Sequence, residues 1–217
     1  MRLVLIRHGE AQAALDQVVG CHTGCTGLSD RGRQQAELLR DRLVRTGELR
    51  DAAVLYSSIL PRAVETAEII APAVGHLDVQ RSCDLCEQHA GEADGLSWEQ
   101  ANEKYWNVGD WHSGAESWTA AFHPLAPGGE SVSQFVSRAA TALHRLARRH
   151  PDETAVVACH GGVIRAAFLA FAPVALSFLT HMRVENTGIN EWIYDDDAGA
   201  WRLSRHNDHA HLLPGPT

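Results

Sequence analysis

Two short apolar runs, each ending in a histidine and a glycine, limit what this chain can fold into. Leu3-Val4-Leu5-Ile6 runs into Arg7-His8-Gly9-Glu10, and Ala155-Val156-Val157-Ala158-Cys159 runs into His160-Gly161-Gly162. A run that is apolar at every position reads as a strand buried on both faces, which belongs to a parallel sheet covered by helices. If the two strands are parallel neighbours, both imidazoles leave at the same carboxyl edge. That edge is where open α/β sheets bind ligands. Two histidines there with arginine nearby suit an anionic group such as a phosphoryl.

The rest of the pattern alternates strand and helix. Ser29 is a suitable N-cap for a helix to about Arg45, with Ala36, Leu39 and Leu43 on one face and Gly47 as its stop. Ala53 to Tyr56 reads as a strand. Pro61 then starts a helix whose stripe Ala63, Ala67, Ile70, Ala71, Val74 runs to Gly75. A weaker strand is expected near Leu77 to Gln80. Glu130 to His150 carries the longest helical periodicity, and Pro151 ends it. After the second strand–histidine unit come helices over Val163 to Phe171 and about Val174 to His181. A hairpin then turns at Asp195 to Gly199. This order predicts an α/β fold: a three-layer α/β/α sandwich with a mostly parallel central sheet. Residues 1–217 are read as one domain. The irregular stretch 83–129, with Trp98, Trp106, Trp111 and Trp118, is read as a lid-like excursion with short helices over Trp98 to Tyr105 and Ala115 to Phe122.

Bulk properties narrow the function. The chain has 217 residues, is 45% hydrophobic and carries a net charge of −8, which argues against a nucleic-acid or anionic-membrane binder. An acidic protein that binds phosphate must concentrate its arginines locally. No apolar stretch is long enough to span a bilayer, and no signal-peptide pattern precedes the first strand, so a cytoplasmic protein is expected. The five cysteines are expected to be free thiols. Cys21/Cys25 and Cys83/Cys86 are spaced in a way that zinc sites use, but small buried thiols are the simpler reading, and no metal is assigned.

Arg62 sits in the first helical turn after the second strand, where the helix dipole disfavours a cation. That local conflict points to a function, and a guanidinium fork on phosphoryl oxygens supplies one. Arg165, near the start of another helix, is a weaker candidate. Gly9 lets the backbone pass close to a ligand, and Gly161 opens a helix whose N-terminus favours an anion.

These residues resemble the histidine phosphatase superfamily, in its phosphoglycerate-mutase-like branch. The blocks are Arg7-His8-Gly9-Glu10, Gly27-Leu28-Ser29-x-x-Gly32-x-x-Gln35-Ala36, Ser57-Ser58-x-x-x-Arg62-Ala63-x-x-Thr66-Ala67, Leu85-x-Glu87-x-x-x-Gly91-x-x-x-Gly95, Pro127-Gly128-Gly129-Glu130-Ser131 and His160-Gly161-Gly162-Val163-Ile164-Arg165, with a similar ending at Asn207-Asp208-x-x-His211-Leu212. Six blocks in family order span nearly the whole chain. The resemblance implies a phosphoglycerate-mutase-like fold and a small phosphorylated substrate, with no cofactor. It implies His8 as a nucleophile that becomes phosphohistidine, Arg7, Arg62 and His160 around the phosphoryl oxygens, and Glu87 as general acid and base. Residue patterning alone does not choose Glu87 over Glu92 or Asp94. The chain departs from the family at Ala11, where Ser or Thr is frequent, and at Ala14, where Asn is. Gly20 or Thr23-Gly24 then becomes the candidate for a compensating backbone donor.

Hydrolase and mutase share the first step and differ in what attacks the phosphohistidine. Mutases of this kind add a basic lid, yet no arginine lies between Arg81 and Arg138. The expectation is therefore a metal-independent phosphomonoester hydrolase. The alternatives are mutase-type transfer, a catalytically silent binding protein on the same fold, and a metal hydrolase drawing on His206, His209 and His211.

Overall fold

The computed structural model describes residues 1–106, 121–172 and 182–213. The expected helices over Val174 to His181 and Ala115 to Phe122 lie wholly or largely outside these, as does the centre of the lid-like stretch. Among the described residues, six strands form one sheet in the order β3-β2-β4-β1-β5-β6. They are β1 (Arg2–Arg7), β2 (Val54–Ser57), β3 (Val79–Arg81), β4 (Thr154–Cys159), β5 (Ile189–Asp195) and β6 (Ala200–Asp208). The first four run parallel, while β5 and β6 form the antiparallel hairpin at the other edge. The sheet is thus mostly, not wholly, parallel.

The apolar runs explain the layers. Alternate residues of one strand point to opposite faces. Leu3 and Leu5 join Val157, Cys159 and Trp192 in a core closed by Phe135 and Leu143 of α5 (Val132–Arg149) and Phe168 of α6 (Gly161–Phe171). Val4 and Ile6 join Val156 and Ala158 in a second core, closed by Leu39 and Leu43 of α2 (Asp30–Thr46) and by Ala67 and Ile70 of α3 (Pro61–Ile70). Helices therefore cover both faces. Each fully buried Val, Leu or Ile among them contributes about 1.5–3 kcal/mol relative to exposure.

Caps fix where the helices begin. Ser29 Oγ accepts from the Gly32 N–H at the start of α2, and Ser131 with Gln134 forms a reciprocal capping box before α5. Two details differ from the sequence reading. The α3 stripe does not run unbroken to Val74: the helix ends at Ile70 and tightens into a 3₁₀ turn over Ala71–Ala73. Pro72 has no N–H with which to continue the ladder. β3 also begins two residues later than expected, at Val79, and the stretch after Glu10 makes one helical turn, α1 (Gln12–Leu15). A further short helix, α4, spans Trp98–Ala101. Among the described residues, no helix is long and apolar enough to cross a membrane.

Candidate active site

Register places the two histidines. β1 and β4 are adjacent and parallel with Arg7 opposite Cys159, so the next residues, His8 and His160, leave the sheet side by side. Their ring centroids are 5.1 Å apart. Both are buried, His160 completely.

His8 is held in one orientation. Its Nδ1 lies 2.6 Å from the Gly9 carbonyl oxygen, an acceptor, so Nδ1 carries the proton. Nε2 is then the lone-pair nitrogen, and it accepts from Arg62 Nε–H at 3.0 Å. Burial, followed by the positive fields of Arg62 and Arg7, pushes the His8 pKa well below the ordinary histidine range. His8 is thus a neutral imidazole with its lone pair beside a guanidinium. The same causes, burial first and then Arg62, His8 and Arg7, lower His160 well below that range. Its Nε2 pairs with Ser58 Oγ at 2.7 Å.

Arg62 reaches this point because Pro61 starts α3 at the carboxyl edge of the sheet. Its Nη1–H donates to the Gly20 carbonyl at 2.7 Å. The Gly20 carbonyl therefore steers Arg62. Arg7 is half-buried at the end of β1, where its Nη1 donates to the Val184 carbonyl. Burial lowers its pKa, the field of Glu87 opposes that change, and Arg165 and Arg62 add to it. Arg7 Nε and His160 Nδ1 are both buried with no hydrogen-bond partner among the described residues.

Glu87 lies against the start of α6. Its Oε2 accepts from the Gly162 N–H at 3.0 Å and its Oε1 from the Gln88 N–H at 3.2 Å. A carboxylate at a helix N-terminus is stabilised by the unpaired amides there. A Cβ on Gly162 would sit 2.0 Å from Glu87 Oε1, so this glycine is what admits the carboxylate. At Gly161 a Cβ would meet only ordinary contacts, at 3.8 Å, with Arg165 and Arg7. Gly9 also has a reason the sequence did not give. A Cβ on it would lie 2.3 Å from the Gly32 carbonyl oxygen, so it serves packing between the first turn and α2.

The structure brings His8, His160 and Arg62 into direct proximity; the field of Arg7 reaches both imidazoles, and that of Glu87 reaches Arg7. Four supporting residues were given no role from the sequence, although Gln35, Ser58 and Thr66 stand in the matched blocks and only Asn186 stands in none. Asn186 Nδ2–H donates to the His8 carbonyl at 2.9 Å, Thr66 Oγ1 accepts from the Gly9 N–H at 3.1 Å, Ser58 holds His160, and Gln35 accepts from the Glu10 N–H at 2.8 Å. Arg165 donates instead to the Met182 carbonyl. Asp94 takes the amides of Cys21, Thr23 and Gly24 and so fixes the loop carrying Gly20. Burial alone would raise its pKa, but those three donors outweigh burial and keep it lowered. The tail histidines are tied to protein partners: His206 to Asn190, His209 to the Asn207 carbonyl and His211 to Thr187. A group able to hold a metal lies elsewhere, at His22, Cys83 and His89.

A sequence model of the histidine phosphatase superfamily (branch 1) matches residues 3–209. The chain belongs to this superfamily. Phosphoglycerate mutase-like protein 4 of Arabidopsis thaliana is 33% identical over 97% of this chain and 86% of its own length. A metal-independent phosphoserine phosphatase of the same plant is 32% identical, covering 88% of this chain and 80% of that protein. Among solved structures, a phosphoserine phosphatase mutant from Entamoeba histolytica in complex with phosphoserine superimposes with a TM-score of 0.76 at 26% identity, covering 98% of this chain and 99% of that one. Phosphohydrolase action through a phosphohistidine intermediate agrees with the phosphatases among these histidine phosphatases.

Proposed function

We propose that the protein hydrolyses a small phosphomonoester in two displacements centred on His8. One observation carries this reading: a buried, neutral imidazole presents Nε2 to Arg62, with a second imidazole 5.1 Å away. A neutral histidine is a competent nucleophile toward phosphorus.

On binding, a phosphoryl oxygen takes over the Arg62 Nε–H and so frees the His8 lone pair. Nε2 then forms a bond to phosphorus while the ester P–O bond breaks. Glu87, in its acid form, passes its proton to the departing oxygen. In the second step water forms a bond to phosphorus as the N–P bond breaks. The water proton goes to the Glu87 carboxylate, which restores the acid, and phosphate leaves. Arg7, Arg62 and His160 donate to the phosphoryl oxygens as charge develops on them. Arg7 Nε and His160 Nδ1 are buried groups whose hydrogen-bonding capacity is otherwise unmet, and each gains a partner in this arrangement. Gly9 and Gly20 act at one remove, the first through the Nδ1 proton of His8 and the second through Arg62. Gly161 leaves the helix start open beside Arg7.

Hydrolysis is favoured over mutase transfer because no arginine lies between Arg81 and Arg138 to retain a phosphoglycerate. We read 1–217 as one domain with 83–129 as its lid, and the enzyme as cytoplasmic, consistent with five unbridged cysteines. The test is a chelator-treated assay over phosphoserine, 3-phosphoglycerate, sugar phosphates and nucleoside monophosphates. Inorganic phosphate release should appear without isomerisation of phosphoglycerate. Phosphate release that requires a divalent cation, or isomerisation outpacing release, would overturn the reading.

A further inference from the structure

The thiol and imidazoles beside Glu87 form a second constellation that the phosphoryl chemistry does not use. Cys83 Sγ lies 3.6 Å from His89 Nε2, and His22 presents a ring nitrogen to both, so all three candidate donor atoms fall within 4.8 Å of one another. None of these residues is hydrogen-bonded to His8, His160 or Arg62. The spacing has a physical counterpart. Tetrahedral zinc, with Zn–S of about 2.3 Å and Zn–N of about 2.0–2.1 Å, sets sulfur and nitrogen about 3.6 Å apart.

The surroundings are also those of a metal ligand. While His89 Nε2 faces the sulfur, Nδ1 on the other side of the ring faces Glu130 Oε2 at 3.7 Å, and that oxygen accepts from the His89 backbone N–H at 3.0 Å. Metal-bound histidines commonly orient their remote nitrogen toward a carboxylate in this way. Glu130 is itself fixed by Arg138, whose Nε and Nη2 donate to its two oxygens at 2.7 Å each. The His22 ring meets the His89 ring edge-on at 5.0 Å, and His22 is exposed, which leaves the cluster open to solvent. Cys86, the residue that Cys-x-x-Cys spacing suggests, packs with Cys25 and Leu60 in a cluster that Cys83 also touches, and it is not one of the three grouped donors.

We propose that His22, Cys83 and His89 form a zinc site with three protein ligands and a solvent-accessible fourth position. One sulfur and two imidazoles form a donor set suited to zinc. As the S–Zn bond forms, the Cys83 thiol gives its proton to solvent. The bound ion ties the loop of His22 to the segment of Cys83 and His89. Gly20, which steers Arg62, is two residues from His22, and Glu87 is two residues from His89. The ion would therefore sit between two segments that flank the candidate active site, without entering its chemistry and without being required for turnover. This inference goes beyond the hydrolase reading and does not depend on it.

The test is cobalt uptake by the reduced, full-length protein, followed by optical absorption. Wild type should bind one equivalent with tetrahedral d–d bands and a sulfur-to-cobalt charge-transfer band, and zinc should displace them. Cys83→Ser should lose the charge-transfer band. His22→Ala, at an exposed position that spares the fold, should weaken cobalt and zinc binding at least about tenfold and remove the zinc-induced rise in Tm. Circular dichroism shows whether each variant is folded, and His22→Ala decides the matter if Cys83→Ser is not. The proposal is overturned by an absence of stoichiometric bands in wild type. It is equally overturned by a charge-transfer band that survives in folded Cys83→Ser, or by unchanged affinity in His22→Ala.

Discussion

Strand β1 begins and ends with an arginine, and the two are used in opposite ways. Arg2 donates from Nε and Nη2 to the two oxygens of Glu191 at 3.1 and 3.2 Å. Around it Arg42 grips Asp208 at 2.8 and 2.6 Å, and Arg205 pairs with Glu48 and Glu191. At the other end of the strand, neither Arg7 nor Arg62 ion-pairs with a carboxylate among the described residues. They face neutral imidazoles and backbone carbonyls instead. An arginine answered by an acid within the fold serves structure. One buried without such an answer keeps its charge for an incoming anion, and a carboxylate beside it would compete with the phosphoryl group. In an acidic chain the second arrangement is what requires explanation.

Variants at the two ends should therefore separate activity from stability. The largest effect is expected for His8→Ala, which should lower kcat on the order of 10⁴-fold or more while leaving the thermal melt nearly unchanged. Retention of even a tenth of wild-type turnover would break the contrast. Arg62→Ala should cost about 10²–10³-fold in kcat and weaken competitive inhibition by inorganic phosphate. Inhibition unchanged by the substitution would remove Arg62 from the phosphoryl site. Glu87→Gln should slow an alkyl phosphate by about 10²-fold but spare an aryl phosphate with a good leaving group. Equal slowing of the two esters would count against its role as acid.

The pH profile sharpens the comparison. Because burial and the two arginines lower the His8 pKa, the free imidazole stays unprotonated below the ordinary histidine range. The acid limb of kcat/KM set by the nucleophile should fall below about pH 6.5. A nucleophile titrating at or above that value would contradict the buried, arginine-flanked geometry. The smallest effect belongs to the structural end. Asp208 is held down to about 2, first by its hydrogen bonds from Arg42. A lowered acid stabilises the fold above its unfolded value of about 3.9, and this is lost as pH falls from there toward 2. Solvent screening reduces its worth to about 1 kcal/mol. Asp208→Asn should thus lower Tm by about 2–4 °C near neutral pH, lose that difference in acid, and leave kcat unchanged. A fall in kcat would show that the two ends are coupled.

Much of the architecture was legible because it rests on local patterns. The doubled apolar runs of β1 and β4, the cap at Ser29, the long periodicity of α5 and the turn between β5 and β6 are written in contiguous residues. His8, His160 and Arg62 were legible for a related reason, since each sits at a strand end or the helix start that follows one. The supports were not. Asn186 reaches the His8 carbonyl across 178 residues, and an isolated Asn carries no sign of such a contact. The need for a glycine at 162 is not written locally either, since it arises from Glu87, which fills the space a side chain there would take. Cys83 stays packed beside Cys86, as their spacing suggests, but nothing in that spacing shows that folding also brings His89 and His22 to it.

The central claim is that His8 Nε2 carries the phosphoryl group between substrate and water. The most direct measurement is rapid quench of the enzyme, and of Glu87→Gln, with a labelled phosphomonoester, followed by peptide mapping under alkaline conditions that preserve phosphohistidine. The account predicts an acid-labile, base-stable label on the peptide containing His8, formed and lost at rates competent for turnover. Steady phosphate release with no labelled enzyme at any time, or a label on another residue, would contradict it.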